Sequence, residues 1–348
     1  MIRLLLLFPL LLMNVCAFAQ DDAAVKARII FIGDAGQIDS GQKAVIGDAV
    51  TRILPEKTKV MYLGDNIYPE GMGLPGSADE EKTKAILRSQ FLPFTSKGVP
   101  VYFTPGNHDW DRSGKNGLAK VRRQSAFLAA QKDNLVRLVP SDGCPDPVAI
   151  SVTDELVMIA FDSEWWLFPY QKRDAASSCG CNTKEEVLAK MRQLVASNKD
   201  KIILLAAHHP FMTYGDHGGY KKIRVVGGLY RSFRSVFPSR EDTNHPLYKQ
   251  MIREMNTALA GAPNVIRFAG HDHGLQLIKD KYIQVVSGSG AKQSHVVKGP
   301  KSLFADVRHG YVTADLLHGR QVKLTYFGQG TRKVEQLFTI VIKTNASD

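Results

Sequence analysis

The sequence has few cysteines and, after its first residues, no long hydrophobic run. Only four of its 348 residues are cysteine, and the close pair Cys179 and Cys181 has no nearby histidine to complete a zinc site. No later stretch stays apolar over the length that a transmembrane helix needs. Basic residues interleaved with exposed aromatics on a recognisable module are also missing. We therefore expect no transmembrane anchor and no nucleic-acid-binding module.

The first 19 residues have the pattern of a signal peptide. Arg3 precedes an apolar run from Leu4 to Met13, and Ala17-Phe18-Ala19 supplies the small residues of a cleavage site. The run is too short to span a bilayer comfortably. We expect residues 1–19 to be a signal peptide and the protein to be exported, either to the periplasm or as a secreted protein. Residues 20–348 are expected to form one domain.

Cleavage there would remove Cys16 and leave three cysteines, Cys144, Cys179 and Cys181. Export favours a disulfide, but three thiols cannot all pair within one chain. The sequence leaves open whether Cys144 joins Cys179 or Cys181.

The chain is basic, with a formal net charge of +11. A basic surface suits anionic substrates, although most Lys and Arg are scattered, which also fits an ordinary solvated surface. One cluster stands out in the segment Gly218–Pro246, which is rich in Gly, Arg, Ser and aromatics and is predicted to be a long functional loop. The cluster comprises Lys221, Lys222, Arg224, Arg231 and Arg234.

Short apolar runs rich in Val and Ile predict buried β-strands. Between them apolar residues recur at helical spacing, and the last part of the chain alternates around turns, which is typical of antiparallel strands. The mixture predicts an α/β (α+β) layer architecture with helices outside packed sheets. The predicted strands are Arg28–Ile32, Val60–Leu63, Val101–Thr104, Leu156–Phe161, Ile202–Ala206, Val265–Ala269, Ile283–Val286, Gly310–Leu317, Gln321–Phe327 and Gln336–Ile342.

Five polar clusters each follow one of these apolar runs. Ligands and reactive groups gather at the carboxyl ends of strands in α/β sheets. The clusters supply carboxylates, an amide, imidazoles and a phenol, which suit iron, zinc or manganese. They are numerous enough for two metal ions, with an Asp able to bridge them. The clusters are Gly33–Gly36, Gly64–Tyr68, Gly106–Asp109, Ala207–Pro210 and Gly270–His273.

This order of motifs resembles the calcineurin-like metallophosphoesterase family. Tyr68, three residues after Asp65, marks its purple acid phosphatase branch. The stretches GDNIYPEG from Gly64, GHDHGLQ from Gly270 and VSGSG from Val286 are similar to the small, mammalian-type, tartrate-resistant members. The resemblance covers roughly residues 28 to 328 and implies a four-layer αββα sandwich of two mixed sheets flanked by helices. Trp165–Cys181 and Gly218–Pro246 depart from the family pattern.

The resemblance also implies which residues bind metal. The family pattern places a ferric ion and a divalent ion (Fe, Zn or Mn) side by side, with Asp65 between them. His108 and His217 match the histidines that contact the phosphate and the leaving group and are the implied catalytic residues. The residues that match ferric ligands are Asp34, Asp65, Tyr68 and His273, and those that match divalent ligands are Asn107, His208 and His271.

The implied function is that of an acid phosphatase that acts on small phosphorylated substrates. Such an enzyme hydrolyses phosphate monoesters by attack of a metal-activated hydroxide at an Fe(III)–M(II) centre. We extend this expectation to phosphoanhydrides. A phosphodiesterase or nucleotidase with two divalent ions is the alternative. A non-catalytic binding module would be expected to lack a ligand, yet each ligand position is filled. We expect a monomer.

Overall fold

The structure is a computed structural model that describes residue 22 and residues 24–131, 134–220 and 238–344. The predicted signal peptide lies outside these residues, so export stays a prediction. The basic cluster of Lys221, Lys222, Arg224, Arg231 and Arg234 lies outside them as well. Within the described ranges, no helix combines the length and the apolar character that crossing a membrane requires.

One seven-stranded sheet joins the beginning of the chain to its end. It runs in the order β14-β13-β12-β1-β2-β3-β4, with β1 to β4 parallel and β12 to β14 antiparallel. The parallel half is formed by short β-branched and aromatic runs that are buried on both faces. The strands are β1 (Val25–Ile32), β2 (Thr58–Leu63), β3 (Val101–Thr104), β4 (Val136–Leu138), β12 (Gly310–Leu317), β13 (Gln321–Gln329) and β14 (Val334–Lys343).

The second sheet also has seven strands and is mixed. Its order is β11-β9-β10-β8-β7-β6-β5, and the four strands β10, β8, β7 and β6 are parallel. β5, β9 and β11 pair antiparallel with their neighbours. The strands are β5 (Val148–Ser151), β6 (Leu156–Ala160), β7 (Ile202–Ala206), β8 (Val265–Ala269), β9 (Leu275–Lys279), β10 (Ile283–Ser287) and β11 (Ser302–Asp306).

Helices connect the parallel strands, and their starts are encoded locally. Asp39 caps the first helix by accepting a hydrogen bond from the Gln42 amide, and Thr183 and Glu186 form a capping box at the fifth. The helices are α1 (Ser40–Thr51), α2 (Glu80–Thr95), α3 (Gly117–Ala129), α4 (Ser163–Leu167), α5 (Lys184–Ser197) and α6 (Pro246–Ala258), and a 3₁₀ turn spans Asp216–Gly218.

Successive side chains of β1 point to opposite faces of the sheet and so contribute to two separate layers of the core. Ile29 and Phe31 point between the two sheets, where Phe31 stacks on Phe268 of β8 with ring centroids 3.8 Å apart. Ile30 and Ile32 point the other way and pack beneath the helices. Both sheets are thus covered on one face by each other and on the other face by helices, which confirms the predicted αββα architecture.

The sequence placed the long strands correctly and missed four short ones, β4, β5, β9 and β11. Each has five residues or fewer. β9 directly follows the Gly270–His273 motif, where a polar cluster obscures the start of an apolar run.

Cys144 and Cys179 form a disulfide, and Cys181 is a buried free thiol. This settles the pairing that the sequence left open. The bond ties the segment before β5 to the start of the segment that leads into α5.

Candidate metal centre

Strand ends from both sheets bring the predicted ligands to one place. Asp34 follows β1, Asp65 follows β2 and Asn107 follows β3, whereas His208 follows β7 and His271 follows β8. The backbones of Asp34, Asp65 and His271 are left-handed, with φ of 57°, 51° and 70°. Non-glycine residues rarely adopt this conformation, and it persists at functional sites where the surrounding structure enforces it. Each of these turns redirects a side chain from the strand towards the shared centre.

The four predicted ferric ligands form one set of donor atoms. The Tyr68 hydroxyl lies 3.1 Å from Asp34 Oδ1, 3.1 Å from Asp65 Oδ2 and 3.3 Å from His273 Nε2. His273 Nε2 is 3.5 Å from Asp34 Oδ1. Bonds of about 2.0–2.2 Å to a common ion put neighbouring ligand atoms roughly 3 Å or slightly more apart. The set therefore fits one metal ion.

The three predicted divalent ligands and the bridging Asp65 form a second set around His208. Its Nε2 atom lies 3.0 Å from Asn107 Oδ1, 3.2 Å from His271 Nδ1 and 3.4 Å from Asp65 Oδ1. Asp65 thus presents Oδ2 to the first set and Oδ1 to the second, which is the arrangement of a bridging carboxylate.

Asp65 is held in its ionised form. Burial by itself would raise its pKa, but His208, His108 and the His108 backbone amide outweigh burial and lower the pKa of Asp65 to about 2. The carboxylate is therefore available to metal ions at any ordinary pH.

Two of the predicted histidine ligands are oriented by backbone carbonyls. His208 Nδ1 donates to Leu63 O over 2.8 Å, and His271 Nε2 donates to Glu241 O over 2.8 Å. A carbonyl can only accept, so these bonds fix the tautomers and leave His208 Nε2 and His271 Nδ1 with free lone pairs. Those are the nitrogens that face the second donor set.

Glycines allow the strand ends to approach one another. A Cβ on Gly64, whose φ is +87°, would lie 2.5 Å from His208 Nδ1. A Cβ on Gly106 would lie 2.4 Å from Asp65 Oδ1. Behind the same loops, buried Asp109 accepts hydrogen bonds from the Gly106 and Asn66 amides, which ties the second and third motifs together.

A pocket of about 450 Å³ opens over the two sets. Both predicted catalytic histidines line it, together with residues that the sequence did not single out. Ser239, Arg240 and Glu241 belong to the segment Gly218–Pro246, which was predicted to be functional but in which only the basic cluster was singled out. The lining residues are Asp65, Asn107, His108, Arg112, Ser113, His217, Ser239, Arg240, Glu241, His271 and His273.

His217 is held by two carboxylates. Its backbone amide donates to Asp272 Oδ1 over 3.0 Å, and its Nδ1 lies 3.2 Å from Asp242 Oδ1. Burial opposes the charged ring, but the hydrogen bond to Asp242 and the charges of Asp272 and Asp242 raise the pKa of His217 overall. Nδ1 is committed to Asp242, which leaves Nε2 as the nitrogen that can act on a substrate.

His108, in the third motif, lies beside Tyr68 of the second motif. Its Nδ1 faces the Pro69 carbonyl, its Nε2 is 3.9 Å from Asp65 Oδ2, and its ring meets the Tyr68 ring edge-on at 4.6 Å. His108 and His217 thus both border the pocket, next to the first and the second donor set respectively.

Comparison with known proteins agrees with the fold and the motifs. The model of the calcineurin-like phosphoesterase family matches residues 27–275. The chain therefore belongs to the calcineurin-like phosphoesterase family, hydrolases that use a dinuclear metal centre. Similar curated proteins are tartrate-resistant acid phosphatase type 5 of Rattus norvegicus and of Mus musculus, each 22% identical over 235 residues, or 66% of this chain. The chain spans 60% of the length of these relatives.

Solved structures show the same fold. The purple acid phosphatase PPD1 from yellow lupin (Lupinus luteus) seeds matches with a TM-score of 0.56 and 15% identity, over 91% of this chain and 53% of that one. The structure of PhoD matches with a TM-score of 0.57 and 14% identity, over 92% and 70%. GAP50, the anchor in the inner membrane complex of Plasmodium, matches with a TM-score of 0.56 and 16% identity, over 93% and 90%.

Proposed function

We propose that the protein is an acid phosphatase that hydrolyses phosphate monoesters, and phosphoanhydrides, of small substrates. The supporting observation is the position of the Tyr68 hydroxyl, within 3.3 Å of Asp34, Asp65 and His273. A phenol among two carboxylates and an imidazole is a hard donor set that suits Fe(III) better than Zn(II) or Mn(II). Fe(III) is proposed there, and a divalent Fe, Zn or Mn at Asp65, Asn107, His208 and His271.

The bound ions would supply Lewis acidity for activating water and neutralising phosphate oxygens. The chain's own residues then bind and orient the substrate. The pocket admits a phosphoryl group beside both donor sets, and the exposed guanidinium groups of Arg112 and Arg240 at its wall attract anions. His108 and His217 are the proposed donors of a proton to the leaving oxygen, which is supported by their position at the pocket wall and by the contact of His217 Nδ1 with Asp242.

The substrate preference is tested by comparing kcat/KM for p-nitrophenyl phosphate and for bis-p-nitrophenyl phosphate at mildly acidic pH. We expect the monoester to be preferred by at least about tenfold. Asp65→Asn should abolish both activities, because it removes the carboxylate shared by the two donor sets. A preference for the diester would contradict the proposal and favour the phosphodiesterase alternative.

A further inference from the structure

A second cluster of potential ligands lies next to the proposed dinuclear centre and shares none of its ligands. His209 Nε2 is 2.9 Å from Glu241 Oε2 and 3.9 Å from Glu164 Oε2. The three donor atoms lie within 4.8 Å of one another. Glu164 and His209 are both fully buried, and Glu241 is partly buried at the pocket wall.

The cluster has more acceptors than donors. The Ser113 hydroxyl lies 2.9 Å from Glu164 Oε1 and 2.9 Å from Glu241 Oε1, but it has one proton to donate. His209 Nε2 can serve Glu241 Oε2 alone at hydrogen-bond distance. Among the described residues, Glu164 Oε2 has no hydrogen-bond partner although it is sealed from solvent. A buried carboxyl oxygen of Glu164 is therefore aimed at the cluster without a hydrogen bond from any described residue.

Burial, and after it the nearby charge of Glu241, raises the pKa of Glu164 well above its usual value, so without a cation this carboxyl favours its neutral form. Over the part of the chain that the structure describes, neither carboxylate forms an ion pair with Lys or Arg, and the ion pairs of both are to His209. Buried charges in proteins are normally paired or coordinate a metal ion. A bound cation would therefore stabilise the buried carboxyl groups of this cluster.

The donor chemistry and spacing fit a divalent ion. Two carboxylates and an imidazole suit zinc, manganese or iron. Ligands of a tetrahedral zinc ion, with bonds of about 2.0–2.2 Å, lie roughly 3.3–3.5 Å apart, and the separations of 2.9 and 3.9 Å bracket that value. Ser163 Oγ lies 2.8 Å from His209 Nδ1, so Nδ1 can donate to it and leave the Nε2 lone pair for the ion.

We propose that Glu164, His209 and Glu241 bind a third divalent metal ion beside the dinuclear centre. This ion would be structural. It would anchor the segment Ser239–Asp242, in which the Glu241 carbonyl orients His271 and the Asp242 carboxylate holds His217. The inference rests on residues outside the two catalytic donor sets and stands or falls independently of the proposed reaction.

Metal stoichiometry of the full-length protein tests the proposal. Bound metal ions are removed from the wild-type protein with a chelator, and the protein is dialysed against Zn²⁺ and desalted. The zinc bound per chain is then measured by elemental mass spectrometry. We expect about three zinc ions per wild-type chain and about two for Glu164→Gln. The matched control is Glu185→Gln, an exposed residue of helix α5, which should still bind about three. Two ions in both wild type and Glu164→Gln would overturn the proposal, as would loss of more than one ion in Glu164→Gln.

Thermal melting gives a second readout that does not depend on counting ions. Without metal, Glu164→Gln should melt no lower than wild type, because the amide replaces a buried carboxyl whose pKa is already raised well above its usual value. With zinc, the same variant should gain less in Tm than wild type, because it lacks one ion bound only by the native state. An equal zinc-induced rise in Tm for the two proteins would contradict the third site.

Discussion

At the scale of single residues, Asp65 links the two donor sets. Each of its carboxylate oxygens contacts a different group of predicted ligands, and the His108 amide donates to Oδ1 over 2.9 Å. The aspartate is also turned off its strand by a left-handed backbone. Such strain is tolerated only where the surroundings enforce it, and here Gly64 and Gly106 supply the space. The bridging role proposed for Asp65 thus depends on the left-handed backbone of this residue and on the space that the two glycines leave around it.

His217 is the residue for which we predict the largest catalytic effect without loss of metal. His217→Ala should lower kcat for a monoester by about 10²–10⁴-fold, the usual contribution of a general acid. Metal content, measured on the same preparation, should stay at the wild-type value because His217 is not a proposed ligand. Wild-type turnover in a fully metallated variant would show that His217 does not act on the leaving group.

Asp242→Asn is the milder companion variant. Asp242 raises the pKa of His217, and a general acid works only while it is protonated. Activity is lost as pH rises through that pKa, so the variant should lose activity at a lower pH than wild type. If the alkaline limb of the pH–activity profile is the same in the variant and in wild type, His217 is not the titrating group.

At the scale of elements, the local sequence predicted most of what positions the site. The runs that become β1, β2, β3, β7 and β8 are short and apolar, and each is followed within three residues by a predicted ligand. Strand and ligand are therefore neighbours in sequence, and one motif reveals both. Thr183 and Glu186 likewise start α5 through contacts within four residues.

The features that the sequence did not reveal depend on contacts between distant segments. Glu164 lies in α4 and Glu241 lies shortly before α6, and neither has a spacing that marks a ligand. They meet only because β6 and β7 are neighbours and because His209 follows His208. The choice of Cys179 over Cys181 as the partner of Cys144 also depends on how one loop passes another.

The disulfide should stabilise the fold appreciably. Its partners are 35 residues apart in sequence, and closing a loop of that size restricts the unfolded chain by about 3–4 kcal/mol in the chain-entropy estimate. We expect the double variant Cys144→Ala, Cys179→Ala to lose about 2–4 kcal/mol of unfolding free energy in denaturant titrations. Cys181→Ala is the control, since it removes a buried thiol of the same segment and no bond.

Adding a reducing agent distinguishes the contribution of the disulfide to stability from the effect of replacing the cysteine side chains. It should lower the stability of wild type to about that of the double variant, and it should lower the stability of Cys181→Ala by a similar amount, because that variant keeps the bond. Equal stability of oxidised wild type and the double variant would contradict a structural role for the bond.

At the scale of the whole molecule, the strand ends of two sheets packed face to face supply different kinds of predicted ligand. The first contributes Asp34, Asp65, Tyr68 and Asn107, and the second contributes His208, His271 and His273. Carboxylates and the phenol thus come mainly from one sheet and imidazoles from the other. The site exists only when both sheets are packed, so metal binding and folding should reinforce each other.

The proposed Fe(III) ion bound by Tyr68 is tested most directly by the visible spectrum of the purified protein together with its metal content. The purified protein should hold at least two metal ions per chain, at least one of them iron, and should be coloured by a phenolate-to-iron absorption band. Tyr68→Phe should lose the band and keep its fold, as judged by circular dichroism and Tm. A colourless protein that is fully active with a zinc or manganese pair would contradict the claim and favour the phosphodiesterase or nucleotidase alternative.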